Sequence, residues 1–240
     1  VLRFLRLERE PATLLRRPVG REKRVAVSAA IPLSSLVNGA HHLETTITVV
    51  TLAAFSGALR ALVHPRAPAL ALHALVPVSL RAEGRAALGN RYASVFVALP
   101  VGLADLRERA RRIDAELRAA REHGAVATGL RAVLAAGVAL PALEQLAVAL
   151  FSRKASAVVS SVRGPEQPLH LGGVLVEDVL VWAPAPGSMP LGLTLMSYAG
   201  RARLGLLADA QVLPDPGALL AALQRELEAL FLSPPPRDHA

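Results

Sequence analysis

The sequence predicts an α/β fold in which a mixed sheet is flanked by helices. Three observations carry this expectation. Short apolar strand-like runs cluster between residues 72 and 99 and between 155 and 207, stretches of helical period separate and flank them, and Gly or Pro marks nearly every junction. A chain of 240 residues, 52% hydrophobic, is long enough to bury one substantial core. Aromatic residues make up only 3%, so that core must be built from Leu, Val and Ala.

The elements follow in order. Residues 1–23 are basic and broken by Pro11 and Pro18, which suits a linker. Arg24 to Ala30 reads as a short strand, and Pro32, Ser34 and Ser35 supply helix-start signals before Leu36. Thr45 to Val63 carries apolar residues on nearly every face, as a buried helix does, and Pro65 and Pro68 end it. Leu72 to Leu80 and Tyr92 to Leu99 are apolar runs rich in β-branched residues, read as strands of one sheet. Leu106 to Glu122 interleaves acidic and basic residues in helical register and is closed by Gly124. Val126 to Phe151 reads as two helices meeting near Pro141.

The period then changes to two. Ala155 to Val162, Val174 to Trp182, Leu191 to Tyr198 and Ala202 to Leu207 are read as four strands, separated by Gly172-Gly173, Pro184 to Gly187 and Gly200. Ala199-Gly200 is the best hairpin turn, because glycine accepts the positive φ such turns need. Pro214 to Phe231 closes the fold as a helix, and residues 233–240 are expected to be a disordered tail.

Composition narrows the function classes. There is no cysteine, which removes disulfides, thiolate metal sites and a Cys nucleophile, and fits a reducing, cytoplasmic setting. The formal net charge is +8. Much of the excess is Arg spread over several faces of the 106–122 helix, and no nucleic-acid recognition motif accompanies it. A basic surface facing anionic lipid or acyl-CoA phosphates fits better than nucleic acid. The most apolar segment, Ala125 to Phe151, carries Arg131, Glu144 and Pro141, so peripheral membrane contact is the expectation rather than a span.

No common catalytic constellation stands out. The histidines at 41, 42, 64, 73, 123, 170 and 239 include no i,i+4 pair with an intervening acid, so no metal site is expected. Ser160, His170 and Asp209 could be assembled into a triad on paper, yet no Gly-x-Ser-x-Gly elbow exposes the serine. Gly187, Gly192, Gly200 and Gly205 read as turn and strand-end glycines.

Four segments nevertheless carry a more specific signal. They are Thr46-Ile47-Thr48-Val49 with Leu59-Arg60, then Val76-Pro77-Val78-Ser79-Leu80-Arg81 with Gly89-Asn90-Arg91, then Val158 to Pro165, and finally Ser197-Tyr198-Ala199-Gly200. In this order they resemble the bacterial wax ester synthase/diacylglycerol acyltransferase family across about residues 20 to 232. The resemblance implies one half of a chloramphenicol-acetyltransferase-like fold, in which two α/β subdomains enclose a channel. Residues 24–232 would be the C-terminal domain. The implied reaction is acyl transfer from acyl-CoA, as co-substrate with no bound cofactor, to a fatty alcohol or diacylglycerol, yielding wax ester or triacylglycerol. The implied partner is an N-terminal half, in the same or a separate chain, and the setting extends to the surface of a membrane or lipid inclusion.

Arg81, Asn90, Ser160, Gly164 and Pro165 fall in segments that the resemblance places along the channel, although Gly89-Asn90 also reads simply as a tight turn. The family's general base is a histidine of a His-His-x-x-x-Asp-Gly motif in its N-terminal half. Here the adjacent pair His41-His42 is followed by Thr46 and Ile47, so it reads as a helix-end pair and no catalytic residue is assigned to this chain. Thr48-Val49 stands where the family has Asn-Asp, and Ser161 and Arg163 replace Asn and Pro. Two readings stay open: a domain inactive alone that awaits its catalytic half, and a non-catalytic lipid-binding or interaction module with the same fold.

Overall fold

The computed structural model describes residues 10, 12–63, 70–79, 92–122 and 152–232. The stretch read as two helices meeting near Pro141 lies outside them, as do Gly124 and the 233–240 tail.

A short 3-10 turn at Leu14–Arg16 buries Leu15 completely. The chain then forms β1 (Lys23–Val27), β2 (Ile31–Pro32), α1 (Leu33–His42), α2 (Ile47–Val63), β3 (Leu72–Ser79), β4 (Tyr92–Leu99) and α3 (Leu106–Glu122). After residue 151 come β5 (Ala157–Arg163), β6 (His170–Leu171), β7 (Val174–Leu175), β8 (Leu191–Tyr198), β9 (Arg201–Asp209) and α4 (Pro216–Leu232). The main sheet runs β1-β9-β8-β5-β3-β4, with β2 also on β9. Its β3–β5 and β5–β8 pairs are parallel and the others antiparallel, so the sheet is mixed, as expected.

The helices start where side chains can accept the orphan N–H groups of the first turn. Thr46 Oγ1 accepts from Val49 N–H, Asp105 Oδ1 from Glu108 N–H, and Asp215 Oδ1 from Gly217 and Ala218 N–H ahead of Pro216. Helix α1 is the exception. It begins at Leu33, earlier than Ser34 and Ser35 suggested, with no side-chain cap, and Leu33 N–H donates to Gly200 O instead. Tertiary contact takes over the role given to a serine.

All four helices contribute to one core on one face of the sheet. Helix α2 is its centre, with Val49 to Leu59 buried on every side, which explains its uniformly apolar sequence. Behind it, Arg109 of α3 is 1% exposed and pairs with Glu226 of α4 across Gly57. Burial lowers the Arg109 pKa against the pull of the Glu226 carboxylate. Among the described residues no single helix is long and apolar enough to cross a membrane; α1 and α2 pass that test only jointly, at an 88° bend.

The second face of the sheet differs from expectation. Val174 to Trp182 is not a strand of the sheet. Only Val174 and Leu175 are extended partners, pairing with β6 across Gly172 and Gly173, both with positive φ. From Val176 the chain becomes a strap lying over β8 and β9. Two glycines make room for it: a Cβ on Gly192 would sit 2.4 Å from the Ala183 carbonyl oxygen, and one on Gly205 2.6 Å from that of Val181. Both glycines are positions of close backbone approach; Gly192, the second residue of β8, lies near the strand end as read, whereas Gly205 sits in the middle of β9 rather than at the turn or strand end read from sequence.

Candidate functional site

Strands β5 and β8 run parallel and end together, and the candidate site is built on those ends. β5 is buried at its start and exposed at its finish, passing from Ala157, Val158 and Val159 to Ser161, Val162 and Arg163. The chain then turns away at Gly164-Pro165. Gly164 N–H donates to Ser197 O at 3.0 Å, and Ala199 N–H donates to Pro165 O at 3.0 Å, which locks the end of β5 against the β8–β9 turn. Only glycine fits at 164, because a Cβ there would lie 2.3 Å from Ser197 O.

The turn it meets is the expected hairpin. Ala199 (φ +46) and Gly200 (φ +75) both take positive φ between Tyr198 and Arg201, the signature of a type I′ turn. Together these segments and Leu33 line a pocket of about 160 Å³ whose rim carries Arg163 and Glu166, an exposed ion pair at 2.5 Å. Crevices outside the carboxyl ends of parallel strands are where open α/β sheets commonly bind ligands.

Of the five channel residues read from sequence, Gly164 and Pro165 line this pocket. Ser160 sits on β5 opposite Thr194 of β8, on the strap side of the sheet, and does not line it. Arg81 and Asn90 lie outside the described residues. His41 and His42 are the last two residues of α1, as read. The Arg107 guanidinium, which can only donate, contacts His42 Nε2, and that nitrogen then serves as acceptor. Val49, where the family carries an acid, is 1% exposed in the core.

The polar groups that hold the strap were not read from sequence. Tyr198 Oη accepts from Leu169 N–H at 2.7 Å and donates to Val176 O at 2.6 Å. Thr194 Oγ1 accepts from Ala183 N–H at 2.8 Å, Arg201 donates to Glu177 O, and Arg203 pairs with Asp178. Glycines within strands Leu191 to Tyr198 and Ala202 to Leu207 were the one available signal for a backbone crossing there.

A comparison with family models matches residues 88–231 to the WS/DGAT C-terminal domain. The chain belongs to the WS/DGAT family. Among curated relatives of this WS/DGAT chain, the O-acyltransferase WSD of Acinetobacter baylyi is 28% identical over 223 residues, covering 91% of this chain and 48% of that protein. A putative diacylglycerol O-acyltransferase of Mycobacterium tuberculosis is 31% identical over 235 residues, covering 92% and 46%. The chain thus spans about half the length of the curated relatives it matches.

Solved structures agree on the fold. The wax ester synthase/diacylglycerol acyltransferase of Marinobacter aquaeolei superposes with a TM-score of 0.67 at 21% identity, covering 93% of this chain and 52% of that one. The condensation domain of the monacolin K polyketide synthase gives 0.66 at 14% identity, covering 95% and 54%. The WS/DGAT assignment and the mixed α/β architecture expected from sequence are both shown.

Proposed function

We propose that this chain is the C-terminal part of an O-acyltransferase that moves an acyl group from acyl-CoA to a fatty alcohol or diacylglycerol, with the general base supplied from outside these 240 residues. Membership of the WS/DGAT family is the observation that carries the reading. The chemistry divides cleanly. A base takes the proton of the acceptor hydroxyl, the oxygen attacks the thioester carbonyl, the C–S bond breaks and the CoA sulfur leaves to be protonated. No histidine of this chain stands in the family's motif, and His42 Nε2 is engaged by Arg107. What the chain contributes is wall: the Gly164-Pro165 and Ala199-Gly200 turns at the ends of β5 and β8.

The test is acyl transfer from acyl-CoA to a long-chain alcohol, by the chain alone and after addition of a separately expressed N-terminal half carrying the His-His-x-x-x-Asp-Gly motif. Transfer is expected only from the pair. Transfer by the chain alone overturns the external base. The buried Val49 favours a second reading, a non-catalytic module with the same fold, and lipid binding without transfer even in the presence of the N-terminal half would select it.

A further inference from the structure

The opposite end of the sheet, where β1, β5 and β8 begin, carries a larger cleft of about 510 Å³. Arg16, Arg17 and Arg153 line it together with Ser152 and the Gly187-Ser188 turn. Arg16 is fixed in place, donating to Arg153 O at 2.6 Å and Ala155 O at 3.3 Å while pairing with Glu10. Arg17 and Arg153 are exposed, and among the described residues neither guanidinium has a carboxylate partner.

The two buried acids at this end are committed elsewhere. Glu10 accepts from Ser156 Oγ and His73 N–H, and Asp209 holds Lys23 and Gly20 N–H. The positive charge of the cleft is therefore not cancelled from within. In the same lining, Met189 N–H donates to Pro186 O and Gly187 has φ +60, which makes Pro186–Met189 a type II′ turn. Among the described residues the N–H groups of Gly187 and Ser188 donate to no protein acceptor. Ser188 Oγ donates at 3.1 Å to the buried Ser152 Oγ, so a hydroxyl pair is held at the same wall.

Two uncommitted guanidinium groups and two uncommitted N–H groups around one cleft make a donor set with no matching acceptor among the described residues. We propose that this cleft binds a phosphate group. Arginine forks and successive backbone N–H groups are the protein groups best suited to phosphate oxygens. The site stands on this donor set alone; the acyltransferase reading enters only in naming the carrier, for which the adenosine-end phosphates of CoA are the match. An acidic phospholipid headgroup presents the same chemistry.

Isothermal titration of the 240-residue chain with CoA, with pyrophosphate and with phosphatidic acid vesicles in phosphatidylcholine tests it. Binding is expected, weakening with salt, and falling by at least about tenfold in Arg17→Ala and in Arg153→Ala, the loss expected of one charge-assisted hydrogen bond. Thermal melting confirms that these exposed substitutions leave the fold intact. Binding to the vesicles but not to CoA keeps the phosphate site and assigns the lipid as carrier. CoA binding that persists while acyl transfer fails in the reconstituted pair removes the proposed function and leaves the site standing. No binding of any of the three, or binding unchanged in both variants, overturns it.

Discussion

Ala199 stands in a left-handed conformation that an L-residue with a Cβ enters at a cost, and the turn around it favours Asn-Gly. Ala199→Asn keeps the turn and relieves that cost, so chemical denaturation should show a gain of about 0.5–1 kcal/mol. Asp209 is a fully buried carboxylate whose charge is held by specific partners. Its burial alone would raise its pKa, but the Lys23 ammonium and the Gly20 and Gln211 N–H groups outweigh burial and hold the carboxyl below the usual carboxylate range. A depressed folded value means the stabilisation is complete above the unfolded pKa of about 3.9 and fades as pH falls through the folded one. Asp209→Asn should therefore be less stable than the native protein at neutral pH, and urea titrations should show that deficit shrinking below about pH 4. A deficit independent of pH would mean that packing, not charge, makes Asp209 matter.

The strap is an element in its own right although it has no regular hydrogen-bonded structure. Beneath it Ala155, Val158, Ala183 and Met189 form a small second core, separate from the helical one. Gly192→Ala and Gly205→Ala each force a methyl group into a carbonyl oxygen, and each should destabilise by about 1–3 kcal/mol in equilibrium unfolding. Added protease cleavage between residues 176 and 186 would locate the damage in the strap. This element also shows what was legible in the sequence. Helices α2, α3 and α4 and strands β3, β4, β8 and β9 announce themselves by local period and by their bounding Gly and Pro. The strap does not, because its apolar residues Val176, Val179, Leu180 and Val181 look like a strand, while its course is decided by two glycines and a tyrosine far along the chain. The pocket was legible for the same local reason as the hairpin: Gly164-Pro165 and Ala199-Gly200 are turn chemistry. The basic cleft was not, since it gathers residues 16–17, 152–153 and 187–188 only after folding.

At the scale of the whole molecule the sheet carries a hollow at each end, a pocket at the carboxyl ends of β5 and β8 and a basic cleft at their beginnings. β5 separates them by seven residues, about 20 Å of strand. The helical layer closes one face and the strap half-covers the other, where Val162, Leu180 and Trp182 remain exposed. The order of the strands also has a bearing on how the chain is made. β1 leaves the ribosome well before its partner in the sheet, β9, with Lys23 opposite Asp209. At synthesis rates of about 5–20 residues per second, Val25 and Val27 wait on the order of ten seconds or more without a neighbour. Lys23 and Arg24 at the head of that strand are then the nascent chain's guard against pairing with the wrong edge.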